Sequence, residues 1–222
     1  MKKQCFVMFA LLLCGLAGNS QEAKSDAFKK VKAGSVFLKP GFGGFFKLGR
    51  IDDELPTALE DHTKKLRSGF VWGIDGGVMI SENDYIGATF SRSNRSGSFR
   101  NSLFFPGGSV IFTIDNTETI QYVGAYYGNR QAINPQNKVF LHSRAGLGFW
   151  NYRSQFFSQE SGNFELKESN IGFQLGAGLE ARVTSGVSWV IDADLLTGNV
   201  KIEDEKENLS QIRVSTGLLF RF

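Results

Sequence analysis

The chain has 222 residues, 25 of them basic and 22 acidic, for a formal net charge of +3. That length suits one domain, and so even a charge balance gives no reason to expect nucleic acid as a partner. Glycine (26) and phenylalanine (21) are abundant and proline is scarce at 4.

Lys2 and Lys3 open the chain, followed by a twelve-residue apolar run from Cys5 to Leu16 and the small residues Gly18-Asn19-Ser20. This order reads as a signal peptide over 1–20, cut near Ser20 and before Gln21. Twelve apolar residues are too few for a spanning helix, which needs about 20. Lipidation of Cys14 is disfavoured, because Leu13 stands where lipoprotein signals carry a small residue. Cleavage removes both cysteines, so no disulfide framework or thiolate chemistry is expected. Losing Lys2 and Lys3 leaves 23 basic residues against 22 acidic ones, net +1.

Beyond Gln21 the dominant signal is period-two alternation in segments of about ten residues. From Ile171 to Arg182, Ile171, Phe173, Leu175, Ala177, Leu179 and Ala181 share one face, and Gly172, Gln174, Gly176, Gly178, Glu180 and Arg182 the other. An amphipathic helix would instead space its apolar residues three and four apart. In chain order the alternation predicts strands near 35–48, 69–80, 84–94, 117–129, 137–152, 169–182, 186–199 and 209–222. The third and fourth are the weakest; in the fourth, Ile120, Tyr122 and Tyr126 read as the apolar face. Short links (81–83, 130–136, 184–186) alternate with long ones (49–68, 95–116, 153–169, 200–208). This is the grammar of an all-β, eight-stranded antiparallel transmembrane up-and-down barrel with short periplasmic turns and longer outer loops. It implies a periplasmic segment at 21–32 and the barrel at 33–222.

An eight-stranded barrel is just wide enough for its own side chains to fill it. The polar face carries Lys39, Asp75, Arg144, Glu180, Arg182, Asp192, Asp194, Arg213 and Arg221. Both signs are present, and buried charges are costly unless paired. An interior ion-pair network acting as a plug is therefore expected, against the rival of a narrow conducting path. An aromatic girdle is assigned to Trp72, Tyr85, Tyr126, Trp150, Trp189 and Phe220, near strand ends where rings meet headgroups.

Chemistry-bearing patterns are sparse. Only His62 and His142 exist. His142 and Ser143 are neighbours on a strand and face opposite ways, so they cannot form a nucleophile–base dyad. No catalytic residue, metal site or cofactor is assigned. The acidic runs Asp52-Asp53-Glu54 and Glu203-Asp204-Glu205, and the basic stretch Asn94 to Arg100, read as solvated loop charge, although divalent ions or lipid phosphates could meet them.

The last twelve residues, Gln211 to Phe222, place Ile212, Val214, Leu218, Phe220 and Phe222 on one face and end on an aromatic residue. This resembles the targeting strand of outer-membrane barrels, and the chain over 33–222 is similar to the small OmpA/OmpX-like family with an outer membrane protein β-barrel domain. The resemblance implies an outer-membrane location and recognition of Val214, Leu218, Phe220 and Phe222 by the barrel-assembly machinery. It also implies contact with outer-membrane lipid including lipopolysaccharide, and a monomer without the peptidoglycan-binding domain of full-length OmpA proteins. The expected function is non-enzymatic: envelope structure or surface interaction through the outer loops. A narrow pore or transport component is the alternative. A lipid-modifying enzyme is less favoured, because lipid A deacylases place His and Ser two apart on one strand. A soluble lipocalin-like barrel would put its apolar residues inside, contrary to the charge pattern here.

Overall fold

The computed structural model describes residues 31–48, 67–105, 108–134, 136, 138–158, 162–202 and 205–222. The signal peptide expected at 1–20, residues 21–30, His62, and the acidic residues 52–54 and 203–204 lie outside them.

Alternating sequence becomes strand after strand: β1 (Val36–Lys47), β2 (Ser68–Met79), β3 (Asp84–Phe105), β4 (Gly108–Ala132), β5 (Val139–Ser158), β6 (Gly162–Arg182), β7 (Val187–Thr197), β8 (Asn199–Ile202), β9 (Glu205–Asn208) and β10 (Gln211–Arg221). Eight of them close into a barrel in the order β1-β10-β7-β6-β5-β4-β3-β2, and β8 and β9 form a separate hairpin. The barrel pairs are antiparallel, and closure runs from Phe37↔Arg221 to Lys47↔Gln211.

The inner turns are fixed by short polar side chains that bond their own backbone. The Ser81 hydroxyl accepts the amides of Asn83 and Asp84. Asn134 Oδ1 accepts those of Lys138 and Val139. Thr184 Oγ1 accepts those of Gly186 and Val187. Each turn sets the register of the strands it joins.

Strand parity sorts the side chains into a wall facing out and a filling facing in. Outward lie Phe42, Trp72, Ile86, Val123, Leu147, Ile171, Leu175, Leu179, Val214 and Leu218, all with substantial exposure. On β6 the outward apolar run extends from Ile171 to Ala181. Ten residue steps of about 3.4 Å, tilted about 40°, span roughly 26 Å, close to the apolar band of such barrels. Above Ile171 the outward positions become Ser169, Lys167 and Glu165, and above Phe149 they become Asn151, Arg153 and Gln155.

Four strands do not stop at that level. β3 leaves β2 after Phe70↔Asn94 but stays paired with β4 as far as Phe105↔Gly108. β6 meets β7 only up to Phe173↔Thr197, yet pairs with β5 as far as Ser158↔Gly162. β4 and β5 stay paired to Ile114↔Ser158. The segments expected as outer loops at 95–116 and 153–169 are thus largely strand: a four-stranded sheet rising above the barrel. From Arg95 to Phe105 it adds roughly 35 Å of strand length at about 3.4 Å per residue. The loop expected at 200–208 contains the β8–β9 hairpin, tied to β6 where Asn170 Nδ2 donates to the Asn199 carbonyl at 2.5 Å.

The fourth strand's face assignment is reversed. Ile120, Tyr122 and Tyr126 are 1%, 0% and 5% exposed inside the barrel, while Val123 and Tyr127 face out. The reason is physical: the ends of this lumen are packed with rings and aliphatic side chains, so apolar character alone does not mark the lipid face.

Candidate functional site

The barrel interior is built in layers. At its outer end Ile120, Tyr122, Trp150, Tyr152, Leu196 and Leu209 form an apolar plug. Tyr122 and Trp150 meet edge to face at 5.4 Å between ring centroids, a geometry favoured by the ring quadrupoles. Trp150 Nε1 donates to the Thr197 carbonyl at 3.2 Å. The indole fits because Gly172 and Gly198 lie against it; a Cβ at either position would overlap the ring. Trp150, Tyr85 and Tyr126, assigned to the lipid girdle, are therefore corrected to the interior, at 0%, 8% and 5% exposure. Their parity already placed Trp150 beside Arg144 and His142 on the inward face of β5. Trp72 faces out, and Trp189 Nε1 donates to Thr216 Oγ1 at 2.7 Å on the outer wall. Phe220 shares the outward parity of Leu218 and Phe222.

Beneath the plug lies a charged layer centred on Arg144. Its guanidinium grips Asp194 with two bonds, Nε to Oδ1 at 2.8 Å and Nη2 to Oδ2 at 2.6 Å. It also donates to Asp75 at 2.5 Å and lies 3.7 Å from Asp192. Lys39 bridges Asp75, at 2.7 Å, and Asp192. His142 Nε2 lies 3.1 Å from Asp192. The fork geometry and shared carboxylates are what a buried charge set needs to offset its desolvation. Room for the Arg144–Asp194 pair comes from Gly176, Arg144's neighbour on β6, where a Cβ would crowd both side chains. Arg213 sits between this layer and the plug, donating to Ser91 Oγ and facing Gln211, whose amide oxygen accepts from it.

Below follow Phe37, Met79, Tyr85 and Tyr126, a second apolar cluster. At the inner mouth Glu180 accepts from Arg221 at 2.5 Å, Ser188 at 2.9 Å and Arg130 at 3.4 Å, with Arg182 at 4.0 Å. Arg130 and Arg182 both lie over the Phe140 ring, at 3.9 and 4.8 Å, as cation–π contacts.

All nine residues assigned to the lumen lie inside, in two groups rather than one. Arg130, which the alternation places in a link, is also inside: it continues along β4 the inward parity that the structure gives Tyr122 and Tyr126. Sequence reasoning also missed Arg95 and Glu118, a buried ion pair at the outer end. Arg95 is thereby corrected from solvated loop charge, because β3 continues through it. His142 is buried and Ser143 faces out. On the outer face above the apolar band, Glu165 pairs with Arg153 and, at 2.9 Å, with Lys167. The hydrogen bond from Lys167, then that from Arg153, holds its carboxyl below the usual glutamate range.

Two interior cavities measure about 40 and 30 Å³, space for a few waters each. The fold defines an eight-stranded transmembrane barrel whose interior is filled by these layers among the described residues. The chain belongs to the outer membrane protein beta-barrel domain family, whose pattern it matches over residues 9–222. Among solved structures it is similar to Ail of Yersinia pestis, solved in complex with the heparin analogue sucrose octasulfate: 17% identity, TM-score 0.51, covering 86% of this chain and 100% of that one. It is also similar to Neisserial surface protein A (15% identity, TM-score 0.52, 85% of this chain and 96% of that one). No curated protein sequence matches it.

Proposed function

We propose that this chain is a non-enzymatic, non-conducting barrel of the outer membrane that presents the β3–β6 sheet for contact at the cell surface. The observation that carries the reading is the continuation of four paired strands beyond the level at which outward apolar residues give way to polar ones. The sheet's far end carries Leu103, Phe104, Phe105, Val110, Ile111 and Phe112 in the β3–β4 hairpin. Six apolar residues so close together in one hairpin's sequence suit a protein or lipid partner better than bulk water. The paired lumen charges and both apolar layers support a closed interior. The opposed directions of His142 and Ser143 leave no dyad there.

In this reading the apolar wall sits in outer-membrane lipid, lipopolysaccharide included. The outward stripe Val214, Leu218, Phe220 and Phe222 serves as the assembly signal. The test replaces 97–114 and 155–163 by short turns. The shortened protein should keep the change in gel mobility between unboiled and boiled samples, yet lose binding to an array of sulfated glycans and extracellular proteins. Equal binding by both forms, or binding by neither, would overturn the proposal.

A further inference from the structure

Charge along the lumen is not evenly matched. In the central layer Lys39, Arg144 and Arg213 stand against Asp75, Asp192 and Asp194. At the inner mouth, among the described residues, Glu180 is shared by Arg221 and Arg130. Arg130 is 3% exposed. The Nε–H groups of Arg130 and of Arg221 are buried and meet no acceptor. Both residues border the 30 Å³ cavity, together with Lys39, His142 and Glu180.

A guanidinium has five N–H donors and no acceptor, and buried donors are almost always satisfied. Two such donors beside one void therefore call for an acceptor in it. Its size suits a few waters or one monatomic ion rather than a phosphate or sulfate. Inside a protein the uncompensated positive charge attracts an anion more strongly than it would in water.

We propose that this cavity binds a single halide-sized anion, chloride under cellular conditions, held between the guanidiniums of Arg130 and Arg221. The ion completes the charge balance that Glu180 leaves open. Phe37, Met79 and Tyr126 line the cavity, and the Ile120, Tyr122 and Trp150 plug closes the lumen further out, so the site is loaded from the periplasmic side and is no part of a through-path.

The test uses the full barrel, crystallised and soaked in sodium bromide. Anomalous density is expected within contact distance of both guanidiniums; density for water alone, or bromide elsewhere only, overturns the proposal. In parallel, thermal unfolding is compared in chloride and in gluconate at one ionic strength. The midpoint should be higher in chloride and rise with its concentration, as linked binding requires. Arg130→Gln should remove the chloride dependence. If that variant does not fold, Arg221→Gln serves in its place. Equal wild-type midpoints in the two salts count against the site.

Discussion

Replacing Arg144 by methionine tests the lumen network at its hub. The substitution keeps an unbranched apolar stem and removes the bidentate contact to Asp194 and the bond to Asp75. Asp75 and Asp192 retain Lys39, but Asp194 is left with Gln174 at 3.3 Å. Removing one partner of a buried ion pair costs about 3–5 kcal/mol, and most of that should fall on Asp194. Equilibrium urea unfolding in lipid vesicles, followed by tryptophan fluorescence, measures the loss. Adding Asp194→Asn should give back part of it, with a coupling of about 0.5–3 kcal/mol between the two sites. A loss under about 1 kcal/mol for Arg144→Met, or a double variant equal to the sum of the singles, refutes the reasoning.

Brominated lipids should quench the fluorescence of Trp72 and Trp189 and spare Trp150; measured on single-tryptophan variants, strong quenching of Trp150 would return it to the lipid face. Gly172→Ala should cost about 1–3 kcal/mol, since its methyl overlaps the Trp150 indole and overpacking strains a filled interior; unchanged unfolding would show that the outer plug is loose. Lys167 and Arg153 favour the ionised form of exposed Glu165, so its small contribution to stability is present above the unfolded pKa and is lost as pH falls through the lower folded one. A carbon-13 titration should place the Glu165 carboxyl below free glutamate, and Lys167→Gln should raise it; an unmoved midpoint contradicts the pairing.

The barrel was legible in the sequence because a strand's two faces meet opposite environments. Ile171 to Arg182 alternates so regularly that parity alone locates Glu180 and Arg182 inside. Parity failed where the interior itself is apolar: Ile120 and Tyr122 fill the lumen's outer end, so their character mimics a lipid face. At Trp150 parity and aromatic enrichment point opposite ways, and parity is the truer guide: the ring lies inside although it stands near a strand end. The upper sheet was hidden for another reason. Above the membrane neither face meets lipid, so Arg95 to Asn116 carries no lipid-facing stripe, and only backbone pairing reveals the strands. The two-group arrangement of the charges could not be read from the sequence, since it depends on which strands lie across the lumen from one another.

The central claim, a closed interior, is tested most directly by recording current across a planar bilayer holding the purified, refolded protein. No reproducible conductance steps are expected from the wild type. Stable, ion-selective steps from it would contradict the account.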